Sequence, residues 1–177
     1  TTGSNNVAVG NDALTLNTTG ASNVGVGVNA LFSNTSAVGG TAVGVNALTS
    51  NTTGNYNTAL GTSSLDNNST GTKNTALGYI AMQDNTTGNY NIGVGSDALK
   101  NNTTGGYNVA IGVDALAGNT TTSSLTAIGS SALAANTSGT NNVAVGASAL
   151  DTNVNGSYNT AVGNSTLDAN VGGDRGT

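Results

Sequence analysis

A strict 17-residue period runs the length of this chain and limits what it can become. Glycines fall at Gly10, Gly27, Gly44, Gly61, Gly78, Gly95, Gly112, Gly129, Gly146 and Gly163, with every gap 17 residues and no insertion across ten copies. Ten periods account for 170 of the 177 residues, and Thr1-Thr2-Gly3 is in phase with Thr18-Thr19-Gly20. Residues 1–177 therefore read as a single repeat array, without a linker or a second domain.

The copies define the repeat as approximately N-x-A-V-G-x-x-A-L-x-x-N-T-T-G-x-x. Before each glycine stands a β-branched residue or Leu: Val9, Val26, Val43, Leu60, Leu77, Val94, Ile111, Ile128, Val145 and Val162. The position before that holds only Ala or Gly, as in Ala8, Gly25, Ala42 and Gly93. Four residues after the glycine come Leu14, Leu31, Leu48, Leu65, Met82, Leu99, Leu116, Leu133, Leu150 and Leu167. Seven residues after it Asn is invariant among the copies: Asn17, Asn34, Asn51, Asn68, Asn85, Asn102, Asn119, Asn136, Asn153 and Asn170.

Seventeen residues are too few for a pair of helices, since helical repeats run to about 33 residues or more. Gly, Asn and Thr are also poor helix formers. Short alternating segments bounded by Gly and Asn-Thr-Thr-Gly predict strands and turns. The expected fold is all-β: a parallel β-solenoid, or β-roll, of about ten 17-residue turns. Stacked at about 4.8 Å, ten turns make a rod roughly 50 Å long. Each phase of the repeat then becomes a column of like side chains.

Two of these columns, the aliphatics before the glycine and the Leu/Met residues after it, are the expected core. About two large apolar side chains per turn is a thin interior, so backbone ladders must add to it. The Ala/Gly column alternates with the aliphatics and faces the other way. Its small residues predict a close neighbour, either the opposite wall of the coil or another protomer, and the thin coil favours the protomer.

Composition removes most chemistry. His, Cys and Glu are absent, which excludes imidazole acid–base catalysis, thiol nucleophiles, disulfides and zinc or iron–sulfur sites. No catalytic, metal or cofactor site is expected. Three cations (Lys73, Lys100, Arg175) against eight Asp offer no electrostatic basis for binding nucleic acid. No apolar run approaches the roughly 18–20 residues of a membrane helix. The only methionine is Met82, so the chain reads as a fragment or a processed product.

Asn17, Asn34, Asn51, Asn68, Asn85, Asn102, Asn119 and Asn136 each head an N-x-[ST] sequence and are candidates for N-glycosylation. Asn153 and Asn170 keep the Asn without the acceptor pattern. A structural Asn ladder, with amides bonding from turn to turn, therefore explains the column better. The adjacent Thr18, Thr35, Thr52, Ser69, Thr86, Thr103, Thr120 and Thr137 predict a hydroxyl ladder. Ice binding would want T-x-T on one strand, whereas adjacent threonines such as Thr52-Thr53 point apart. Asp97 over Asp114 and Asp151 over Asp168 read as turn residues rather than a cation site. Tyr56, Tyr90, Tyr107 and Tyr158 share an exposed phase with Lys73, Ser22 and Arg175, and read either as a contact strip for sugars or another chain or as plain surface.

Blocks such as Asn57-Thr58-Ala59-Leu60-Gly61 and Asn142-Val143-Ala144-Val145-Gly146 resemble the N-x-A-[VI]-G strands of trimeric autotransporter adhesin heads. The longer unit from Asn108-Val109-Ala110-Ile111-Gly112 to Asn119-Thr120-Thr121 resembles repeats of phage tail-fibre-like and large bacterial surface proteins. The resemblance implies an extracellular location, at a cell surface or on a virion fibre. It also implies a homo-oligomer, as a trimer or an end-to-end filament. The expected role is mechanical: a fibre or adhesin rod, acting as a spacer or building a filament. The alternative is a surface module binding glycan or ice through its Thr or Tyr rows.

Overall fold

The structure, a computed structural model, describes residues 2–176. It is an all-β, parallel β-solenoid. Ten strands form one sheet in chain order: β1 (Val7–Val9), β2 (Val24–Val26), β3 (Thr41–Val43), β4 (Thr58–Leu60), β5 (Thr75–Leu77), β6 (Ile92–Val94), β7 (Val109–Ile111), β8 (Thr126–Ile128), β9 (Val143–Val145) and β10 (Thr160–Val162). Every pairing is parallel and in 17-residue register, as in Thr58↔Thr75 and Leu60↔Leu77. Coil-to-coil bonding extends beyond the three-residue strands. The Leu31 N–H donates to Ala47 O at 3.0 Å, and the Asn29 N–H donates to Asn11 O at 3.0 Å, so one coil is tied to both its neighbours.

Turning a chain through a full circuit in 17 residues takes sharp corners. The strand ends at a glycine whose φ lies between 127° and 140° in all ten copies, a region closed to residues with a Cβ. A Cβ on Gly78 would also lie 2.5 Å from Gly95 O in the next coil. Three further corners place non-glycine residues in the left-handed region. Residues such as Asn46 and Asp114 (φ 56° and 58°) form one, the Leu/Met column (φ 50° to 54°) another, and Tyr56, Lys73 and their equivalents (φ 59° and 57°) the third. Left-handed backbone penalises β-branched side chains most. The Leu/Met column accordingly holds no Val or Ile, whereas the strand position before the glycine takes both; Ile80, at φ 49° in the Asn46 corner, is the β-branched exception among the described residues.

The Leu/Met column fills the interior: Leu31, Leu48, Leu65, Met82, Leu99, Leu116, Leu133 and Leu150 are fully buried. Leu14 is buried in its coil, and Leu167 packs partly buried against the cluster. The other expected core column is on the outside. Val9, Leu60, Leu77, Ile111, Ile128 and Val162 are 38% to 67% exposed, and Val26, Val43, Val94 and Val145 are half-buried. In their place Ala42, Ala59, Ala76, Ala110, Ala127, Ala144 and Ala161 are fully buried, as are Ala30, Ala47, Ala81, Ala98, Ala115, Ala132 and Ala149 three residues after the glycine. The Ala/Gly column thus packs on the opposite wall of its own coil, not on another protomer. The physical reason is width. With Leu projecting from one wall, the facing wall lies too close for anything larger than a methyl group.

Candidate functional site

No group of three or more potential metal-ligating side chains gathers among the described residues. The features that carry chemistry are columns, and two of them are amide ladders inside the coil. In the first, the Asn68 Nδ2 donates to Asn51 Oδ1 at 2.8 Å and to Gly71 O of its own coil at 3.0 Å. Asn85, Asn102 and Asn153 repeat the arrangement. Asn34, Asn51, Asn68, Asn85, Asn102, Asn119, Asn136 and Asn153 are fully buried, while Asn17 and Asn170, in the outermost coils, are half-buried. From Asn34 to Asn170 each amide uses both N–H donors, whereas Asn17 donates to Gly20 O with one.

One interruption shows how tightly this ladder is built. Thr122 occupies the position that is Gly or Ala in the other coils, and its hydroxyl bonds to Asn119 Oδ1. The Asn136 Nδ2 then donates to Thr122 Oγ1 at 3.3 Å, so the hydroxyl relays the bond that would otherwise pass directly from Asn136 to Asn119.

The second ladder was not anticipated from the sequence. Asn23, Asn57, Asn74, Asn91, Asn108, Asn142 and Asn159, four residues before the glycine, are fully buried. Asn57 Oδ1 accepts the Asn74 backbone N–H at 2.9 Å, and its Nδ2 donates to Gly71 O at 2.7 Å. The signal was present: these residues share strand parity with the buried alanines, so they face inward. Gly40 and Leu125 replace Asn in this column and offer the following coil no amide. Among the described residues, no buried side-chain nitrogen or oxygen lacks a partner.

The outer columns differ. Thr35, Thr52, Thr86 and Thr103 donate their hydroxyls to carbonyls one coil on, at 2.9 to 3.1 Å. Tyr90 and Tyr107 stack with centroids 4.9 Å apart and planes 8° from parallel. The Lys73 ammonium sits 5.0 Å from the Tyr90 ring centre and bonds its hydroxyl at 3.2 Å. These rings stack along the rod, so each shields a face of its neighbour.

The carboxylates line the corners. Asp151 and Asp168 border an open groove with Ser148, Thr152, Ser165 and Ala169. The Ser96 hydroxyl at 2.6 Å, and then the Lys100 ammonium at 3.0 Å, hold the Asp97 carboxyl below its ordinary value. Asp97 in turn raises Lys100. Burial pushes the Asp66 carboxyl up, aided by the charge of Asp84 and opposed by hydrogen bonds from Thr49 and Ser63.

Fold and columns together define a class: a parallel β-solenoid held by paired internal Asn ladders. No protein-family model, curated protein or solved structure matches the chain.

Proposed function

We propose that this chain is a mechanical rod segment of an extracellular fibre or adhesin, as its repeat resemblance implies. The observation that carries the reading is the longitudinal bonding. Each coil is joined to the next by backbone bonds around its circuit, and two amide ladders add to them, the second broken after Gly40 and Leu125. A load along the axis is therefore shared by many short bonds in parallel, and bending must disturb several columns at once.

The alternative, a glycan- or ice-binding module, draws less support. The first Thr row gives its hydroxyls to backbone carbonyls, and the stacked Tyr90 and Tyr107 rings have inner faces that no sugar can reach. A rod whose exposed columns hold mixed residues at most phases suits a spacer better than a reading surface.

The test is localisation combined with shape. Antibody labelling of intact source cells or particles is expected to decorate surface fibres, and electron microscopy of the isolated chain is expected to show straight rods of about 50 Å. Label confined to the cell interior, or isolated particles without a rod profile, would overturn the reading.

A further inference from the structure

The outer face of the ten-stranded sheet has no structural task within the single coil. Its two columns run from Val7 and Val9 to Thr160 and Val162. They contain only Val, Leu, Ile and Thr, without a charge or an amide. Val9 is 57% exposed, Leu60 45%, Ile92 40% and Ile111 38%. Beyond the glycine corner, Val28, Val45, Tyr79 and Val113 extend the exposed apolar surface. The charged side chains of the chain all lie on other phases of the repeat.

We propose that a second copy of this chain covers this face, sheet against sheet. Ten rungs at about 4.8 Å and a width of about four residues give a footprint near 600 Å². That is at the upper end of the apolar patches that monomers leave exposed, roughly 300–600 Å². A pair would bury about 1,200 Å² in total, the lower bound of a standard specific interface.

Register selects the occupant. Only a partner repeating at the same strand spacing can seat its side chains between these columns at every rung over the rod's whole length. The array that does so here is the chain itself. With net charge −5 carried off this face, two copies meet without carboxylates opposed across the contact. The pairing gives the proposed rod a thicker cross-section, and to that extent its biological use rests on the rod reading; the contact itself does not.

Light scattering after size-exclusion chromatography tests it on the intact chain. The parent is expected to run as a multiple of 17.0 kDa. Leu60→Lys with Ile111→Lys should weaken self-association at least tenfold, while Thr53→Lys with Thr104→Lys, on an exposed row elsewhere, should not. Leu60→Thr with Ile111→Thr provides a second face variant, with residues this sheet already carries at Thr58 and Thr126. Circular dichroism checks that each variant keeps the parent's β spectrum. A parent that stays at 17.0 kDa, or association unmoved by either folded face variant, overturns the proposal. Microscopy separates the two readings: single rods sink the pairing alone, and particles that are not rods sink the rod.

Discussion

Gly93 lies against Met82 so closely that a Cβ on the glycine would meet Met82 Cγ at 2.7 Å and Sδ at 3.0 Å. In the neighbouring coils the same inward position is alanine facing leucine, as with Ala76 after Leu65. The longer methionine has taken the space of one methyl group, and glycine in the next coil leaves that space open. Gly25 lacks that side-chain clash: its added Cβ would sit 3.6 Å from Leu14 Cδ1, with Ala30 O nearest at 3.2 Å.

Gly25→Ala and Gly93→Ala should therefore act in opposite directions. Neither glycine has the left-handed φ that would strain an alanine. Gly25→Ala is expected to stabilise by about 0.4–1 kcal/mol through the unfolded state. Gly93→Ala is expected to destabilise by about 1–3 kcal/mol through overpacking. The double variant Gly93→Ala, Met82→Leu should recover most of the loss. Urea midpoints at constant slope check all three; equal effects from the two glycines would contradict the packing described.

Core and surface columns can be told apart in the same way. Leu116 is fully buried, whereas Ile111, five residues earlier, is 38% exposed on the outer sheet face. Leu116→Ala should cost about 2–5 kcal/mol. Ile111→Ala should cost about 1 kcal/mol or less in the isolated coil. Chemical denaturation at a concentration where the chain is single decides it, and similar losses at both sites would put the aliphatic strand column back in the core.

That contrast also marks where sequence reasoning stopped. Period, strand class, register, the Leu column and the first Asn column all follow from invariance at fixed phase, because stacking converts a period into columns. Which side of the strand faces inward does not follow from hydrophobicity alone. Val9 and its equivalents are the more apolar choice, yet Ala42 and its equivalents are inside, since the wall facing the Leu column has room for little more than a methyl group. The narrower signal was the absence of anything beyond Ala or Gly at that phase. Read with strand parity, it would also have placed Asn57 and Asn74 inside. The left-handed corner at Leu48 had a trace too, in the absence of β-branched residues from that column, but an exclusion is harder to see than a match.

The ladder amides should behave as a coupled row. Asn85 donates to Asn68 Oδ1 at 2.8 Å and Gly88 O at 3.1 Å, and accepts from Asn102 at 2.8 Å. Asn85→Leu keeps the branched shape and leaves buried partners unpaired at about 1–3 kcal/mol apiece, for a total on the order of 3 kcal/mol. Asn164→Ala, on the exposed surface at a phase where Ala147 already stands, should stay within about 0.5 kcal/mol. Adding Asn102→Leu to Asn85→Leu removes a group already left without its acceptor. The double variant should thus lose less than the sum of the singles, and strict additivity in a double-mutant cycle would deny the ladder its coupling.

Protonation of Asp66 supplies the last test. Burial raises this carboxyl above the ordinary 3.8, so between that value and the raised one the folded chain binds more protons than the unfolded chain. Stability must then fall as pH rises through the window, because the charged form is the one that burial penalises. Asn cannot ionise, so Asp66→Asn removes the effect: relative to the parent, the variant should gain stability from pH 3 to pH 7. Asp97 has the opposite sign. The Ser96 hydroxyl and Lys100 favour its charged form, and its contribution is present above the unfolded value and lost as pH falls through the lowered one. Asp97→Asn should lose ground to the parent over the same range. Urea midpoints of the three chains at the two pH values give the comparison, and parallel pH profiles for the two variants would show that neither carboxyl senses its surroundings as described.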